Sequence, residues 1–225
     1  MDEVKIITTS DGSHSLLNTA LNETYHSVHG AIQESRHVFI THGLAEWMSK
    51  SGSSEIKIFE VGFGTGLNTF LAALESSARN IKVYYESWEA FPLNESIVHQ
   101  LNYPAILGSE KMFNDIHAAP WNQPTEISKE FTLRKVKANL IEDPLGESIK
   151  FDVIFFDAFA PARQPEMWSA EVLRKVVDTL APAGIWVTYC AKGQVKRDLR
   201  ALSLNVETLP GPPGKKEMIR ASRIS

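Results

Sequence analysis

Cysteine is almost missing from this chain, which holds one, Cys190, in 225 residues. A single thiol can form neither an intrachain disulfide nor a thiolate metal cluster, and this usage fits a reducing compartment. Cys190 closes an apolar run, so a buried core thiol is expected in preference to a nucleophile. Long apolar runs are missing as well. Val153 to Phe156 is cut short by Asp157, and nothing approaches the roughly 18 uncharged residues of a membrane span. The opening residues lack the basic and apolar regions of a secretory signal, so a cytoplasmic protein is expected, with no membrane partner.

A strong charge of one sign is also absent, the net value being −4, which speaks weakly against a nucleic-acid partner. The average hides an asymmetry. From Lys192 to the C-terminus eight Lys or Arg face three acids, which leaves +5 there and −9 before it. A cationic end on an anionic body reads either as a footprint for phosphates or as a solvated face. Four of the seven histidines lie between His14 and His37. The spacing of His26, His29, His37 and His42 fits no compact ligand set, so no metal is expected.

What is present is an alternation of strand and helix patterns. Apolar, β-branched or aromatic runs at 56–61, 83–88, 131–136, 151–156 and 184–189, with weaker ones at 204–209 and 217–221, predict seven strands of a mostly parallel sheet covered on both faces. Between them Leu67, Phe70, Leu71 and Leu74 make one buried helical stripe, and 92–101 and 165–180 repeat that pattern, Pro165 suiting a first helical turn. The fold expected is a doubly wound, Rossmann-like α/β domain over 56–225. Residues 1–55, with a turn signal at Asp11-Gly12 and an apolar stripe near Val38 to Met48, are read as an N-terminal extension packed on that core. The segment near 103–130 is read as an insertion.

The chemistry concentrates at strand ends. In Glu60-Val-Gly-Phe-Gly-Thr-Gly66 a strand ends in an acid, and three alternating glycines then open a helix whose first amides attract a ligand's polar groups. A dinucleotide fingerprint would place a glycine where Leu67 stands, and no Gly-Lys-Ser/Thr follows, so NAD and Walker-type binding are disfavoured. With its preceding acid, the pattern resembles the first motif of class I S-adenosylmethionine methyltransferases. Glu89, just past the second strand, can accept hydrogen bonds from two ribose hydroxyls; Glu86, inside the strand, reads as structural. Asp157 ends the fourth strand at the carboxyl edge of the sheet, where it can orient an amine and accept its proton. A glycine loop that only caps a strand, an exposed loop carboxylate and an Asp helix cap are the respective alternatives.

Longer motifs narrow the reading. Asp157-Ala-Phe-Ala-Pro-Ala-Arg-Gln-Pro-Glu-Met-Trp168 resembles the signature of the tRNA 5-methylaminomethyl-2-thiouridine methyltransferases. Glu34-Ser-Arg-His-Val-Phe-Ile40, Glu60 to Asn68, Glu89-Ala-Phe-Pro-Leu93 and Gly211-Pro-Pro-Gly-Lys-Lys-Glu-Met218 match in the same order. The resemblance implies S-adenosylmethionine as cofactor and, as substrate, the 5-aminomethyl group of a wobble uridine in a tRNA anticodon. It assigns Glu60, Gly62, Phe63, Gly64, Gly66 and Asn68 to the cofactor loop, Glu89 to the ribose, and Asp157 to the target amine and the cofactor's edge. Phe159 and Pro161 shape the pocket, and Lys215 and Lys216 meet RNA phosphates. Where such enzymes carry an Asp for the adenine amino group, this chain offers Asn139. Trp168 is a buried helix aromatic or a base-stacking platform. The oxidase domain of bifunctional relatives has no counterpart in the sequence, so a separate enzyme is expected to supply the aminomethyl precursor. Two other functions compete: methylation of a small-molecule or protein amine, and a non-catalytic RNA-binding module.

Overall fold

The computed structural model describes residues 4–146 and 149–223. The chain begins with a small antiparallel sheet of β1 (Val4–Thr8), β2 (His14–Asn18) and β3 (Glu23–Thr24). Its first turn is the expected one. Asp11 Oδ1 accepts from Thr9 Oγ1 at 2.8 Å and from the Ser13 amide at 3.0 Å, and Gly12 supplies a φ of +83° that a side chain would resist. The chain is then helical through α1 (Ala31–Ser35), a π-wound stretch Arg36–Ala45 and α2 (Glu46–Ser51), ending at left-handed Gly52.

The central sheet uses β4 (Glu55–Val61), β5 (Lys82–Glu89), β6 (Pro124–Ser128), β7 (Phe131–Lys137), β8 (Phe151–Phe156), β9 (Leu180–Thr188), β10 (Leu204–Pro210) and β11 (Glu217–Arg223), in the order β10-β11-β9-β8-β4-β5-β7-β6. β7, β5, β4, β8 and β9 run parallel, while β6, β10 and β11 pair antiparallel with their neighbours. All seven expected strands are present. The eighth, β6, comes from the expected insertion, which also contains α5 (Tyr103–Leu107) and α6 (Glu110–Ala118) after the short α4 (Glu95–Val98).

The central strand β8 is apolar apart from Asp152 because both of its faces are covered. Along β8, Val153 and Phe155 join the cluster built by the π-wound stretch and α3 (Leu67–Arg79). Ile154 and Phe156 point oppositely, into the cluster of α7 (Ala170–Val177) and α8 (Gly193–Ala201). Burying a side chain of this size contributes roughly 2–3 kcal/mol. Gly43 lets the π-wound stretch lie directly on the sheet, since a Cβ there would come within 2.9 Å of Phe155 Cε1.

Two helices are shorter than their periodicity predicts. Over 92–101 only Glu95–Val98 is helical, because Asn94 remains extended. Over 165–180 the Pro165–Trp168 segment is one 3-10 turn. Extended Ser169 then accepts from the Val172 amide at 3.3 Å and starts a new helix, while Leu180 already belongs to β9. Among the described residues no helix is long and apolar enough to cross a membrane.

Candidate active site

The chain goes from β4 to β5 and β7 on one side and then to β8 and β9 on the other. The crevice between β4 and β8 at their carboxyl ends is therefore the switch point where open α/β sheets collect ligands. A cavity of ≈1050 Å³ opens there. Its walls include Gly62, Phe63, Gly64 and Asn68 of the loop and α3, Glu89, Asn139, Asp157, Phe159 and Lys215.

The glycine loop lies close to other backbone. At Gly62, φ is +91° and a Cβ would fall 2.8 Å from the Asp157 carbonyl oxygen, so the ends of β4 and β8 touch only because nothing intervenes. Glu89 ties this loop from the other side: its Oε2 accepts from the Gly64 amide at 3.0 Å and its Oε1 from the Phe91 amide at 2.9 Å. Phe63 packs edge-on against His117 and Trp121, and buried Lys135 lies 5.3 Å from its ring centre. Gly66 shapes the loop from outside the cavity wall, with His117 against it.

Glu60 is fully buried behind the loop, off the cavity wall. Its Oε2 accepts from Ser87 Oγ at 2.6 Å and Thr69 Oγ1 at 3.0 Å, while Oε1 has no partner. Burial pushes its acid up to about 7. Glu86 is structural: its carboxylate takes Trp88 Nε1 at 2.9 Å, Tyr84 at 3.1 Å and Arg134 at 2.8 Å.

Asp157 stands at the floor of the cleft, where Asn68 Nδ2 donates to its Oδ2 at 2.8 Å. Burial first, and then the charge of Glu34, hold its carboxyl well above the usual carboxylate range. Phe159 meets Tyr25 edge-on at 5.1 Å, and its carbonyl accepts from Trp168 Nε1 at 2.7 Å. Trp168 is thus the buried aromatic of the two alternatives, 6% exposed against Phe156. Pro161 lies beyond the cavity wall. Asn139 is on the wall at the far end, its Oδ1 accepting from the Ile141 amide at 3.0 Å. Cys190 is buried, which pushes its thiol up.

The two lysines of the Gly211–Glu217 turn part ways. Lys216 is exposed. Lys215 turns inward instead, pairing through Nζ with Glu34 Oε1 and lying 4.1 Å from the centre of the Tyr189 ring, which differs from the phosphate contact expected of it. The reason is the packing of Gly214 on His29, where a Cβ would sit 1.9 Å from His29 Cδ2 and the turn is drawn under the N-terminal segment.

Several wall residues were given no role by the sequence, although Glu34 and Phe91 fall within its matching motifs. Tyr25, His26, Ser27 and Glu34 roof the cavity from the N-terminal segment, and Tyr189 comes from beyond β9. Phe91 is 77% exposed, an unusual position for an apolar ring, and lies on the wall beside Glu89 together with Ile141, which is 41% exposed.

Comparison with known proteins decides the family. Residues 108–224 match a family of S-adenosyl-L-methionine-dependent methyltransferases. This chain belongs to that family. Its similarity to the tRNA 5-methylaminomethyl-2-thiouridine biosynthesis bifunctional protein MnmC is 29% identity over 93% of this chain for the Idiomarina loihiensis protein and 30% over 90% for that of Pseudomonas aeruginosa. The chain spans 37% and 33% of those two proteins, about a third of their length. The crystal structure of MnmC2 from Aquifex aeolicus superposes with a TM-score of 0.80 at 26% identity, covering 99% of this chain and 70% of that one.

The cofactor of this family is S-adenosylmethionine, and the cleft fits it. Gly62 and Gly64 bring bare backbone to its wall, Glu60 keeps a buried oxygen without a donor, and Phe91 presents an apolar face at the rim.

Proposed function

We propose that this protein methylates the amine of a 5-aminomethyl group on the wobble uridine of tRNA, 2-thiolated or not, giving 5-methylaminomethyluridine. The observation that carries the reading is Asp157, fixed by Asn68 at the floor of the cleft next to the glycine loop. Similarity to the methyltransferase part of the MnmC proteins supports the choice of substrate.

Gly62, Phe63, Gly64 and Gly66 shape the bed for the methionine side of the cofactor, and the free oxygen of Glu60 suits a donor reaching through the loop. Glu89 accepts from the ribose hydroxyls, while Phe91, Ile141 and Asn139 enclose the adenine end. Bound S-adenosylmethionine supplies a methyl group on a positively charged sulfur. With the cofactor bound, Asp157 would align the neutral amine so that its lone pair faces this methyl group, and its carboxylate would take the surplus proton as the amine is methylated and the thioether is released. Phe159 closes the pocket over the splayed base. Lys216 and the exposed cations of α8 contact RNA phosphates. The reaction takes place in the cytoplasm, and a separate enzyme supplies the aminomethyl precursor.

The deciding experiment incubates the protein with methyl-labelled S-adenosylmethionine and tRNA from cells lacking this activity, followed by nucleoside analysis. Label in 5-methylaminomethyluridine is the expected result. Label confined to small-molecule or protein amines would replace this reading with another acceptor.

A further inference from the structure

The acceptor end of the cleft holds an ion pair for which the methyl transfer described above has no use. Glu34 is 4% exposed; its Oε2 accepts from the Ser27 amide at 2.6 Å and its Oε1 holds Lys215. Lys215 also lies over the Tyr189 ring, whose hydroxyl donates to the Ala158 carbonyl at 2.9 Å. A carboxylate beside an aromatic face is a receptor for an ammonium group, filled here by the protein's own lysine.

The other groups facing this corner contribute little charge. His26 is kept neutral by burial, with its pKa lowered to about 4, and burial also keeps Tyr189 a neutral phenol. Glu23 pairs with Arg163 at 3.2 Å, Asp11 is held by Thr9 and Ser13, and Glu60 lies behind Asn68. The charge at the corner is therefore set by Asp157, Glu34 and Lys215.

Two requirements conflict there. Carboxylates attract an amine, but too much negative charge retains it as ammonium, which has no lone pair to react. A cation of the protein's own beside the amine offsets that. Held by Glu34, the same cation is unavailable to an acidic group on the substrate.

We propose that Glu34 and Lys215 form an opposed pair that selects the methyl acceptor. Glu34 favours amines and withholds Lys215 from anionic substituents, and Lys215 keeps the bound amine in its neutral form. Glu34 is thus a specificity-determining residue and Lys215 a positioning residue acting through charge. The inference rests on the amine-methylating function proposed above.

The test uses the full chain, S-adenosylmethionine and two anticodon stem–loops, one with 5-aminomethyluridine and one with 5-carboxymethyluridine. Binding is measured first, because it needs no turnover. The wild-type protein binds the amine loop more tightly. Glu34→Gln frees Lys215 and tightens the carboxymethyl loop by about tenfold, or about 1.4 kcal/mol, and Glu34→Gln/Lys215→Met loses that gain. The acid limb of kcat, which reports the bound amine, moves down in pH in Glu34→Gln and up in Lys215→Met, by roughly 0.5–1 unit each. A structural role would lower activity in both without opposed shifts. Loop preference unchanged in Glu34→Gln, or limbs moving the same way, overturns the proposal. Wild-type protein that shows the preference without methylating the amine loop would instead refute the proposed function.

Discussion

Asp157 owes its chemistry to its surroundings. One oxygen is fixed by Asn68, and a buried site beside Glu34 makes its carboxyl a better proton acceptor than a solvated one. Asp157→Asn keeps the shape and the Asn68 contact but cannot take a proton. It is expected to lower kcat by about 10²–10⁴-fold, with S-adenosylmethionine affinity by calorimetry almost unchanged; a parallel loss of affinity would make Asp157 a cofactor residue instead. Gly62 tests the loop at the same scale. Gly52→Ala meets open space at a φ of +63° and costs only the conformational strain of about 1–2 kcal/mol. Gly62→Ala adds a clash with the Asp157 backbone, so its melting temperature falls further than that of Gly52→Ala and cofactor binding is lost.

At the scale of elements, the N-terminal segment is part of the site because one buried chain of hydrogen bonds ties it to the glycine loop. His26 Nε2 lies 2.9 Å from Thr65 Oγ1, which also accepts from Tyr103 at 3.3 Å. Burial lowers His26 from 6.5 to about 4, so between these values the unfolded chain binds the proton that the folded one refuses. The stability from neutral His26 is therefore complete above pH 6.5 and declines as pH falls towards about 4, on the order of a few kcal/mol in all. Glu60 has the opposite sign. Its acid is raised from 4.5 to about 7, so its contribution is complete below 4.5 and is lost as pH rises through about 7. A His26→Gln variant isolates the first effect: its melting temperature should close on that of the wild type as pH drops from 6.5 to 4. Parallel curves would show that His26 titrates normally.

For the whole molecule, the question is where the charge lies. The positive C-terminal stretch places exposed Lys192 just before α8, Arg197 and Arg200 on the exposed side of that helix and Lys216 on another turn, while Lys196 and Arg220 are spent on Glu217, Glu46 and Glu207. Only the unpaired cations can displace counterions from RNA. If about three phosphates are neutralised, stem–loop affinity falls roughly 20- to 40-fold between 50 and 200 mM salt. Arg197→Glu/Arg200→Glu should weaken binding and flatten that slope while leaving affinity for S-adenosylmethionine intact. A slope equal to that of the wild type would place the RNA on another face.

Local pattern by itself determined much of this protein. Short apolar runs ending in Glu60, Glu89 and Asp157 could only be strands covered on both faces, and a parallel sheet brings such carboxyl ends to one edge, so the position of the cleft was legible from spacing. Turn chemistry at Asp11-Gly12 was equally local. Helix lengths were not, because Asn94 and Ser169 break patterns that periodicity alone would continue. Nor could spacing show that the segment before β4 roofs the cleft, or that of two adjacent lysines one turns inward. Glu34 and Lys215 are separated by 180 intervening residues and meet only because Gly214 packs on His29. Contacts of that kind depend on how distant surfaces fit together, and that is decided by the tertiary structure.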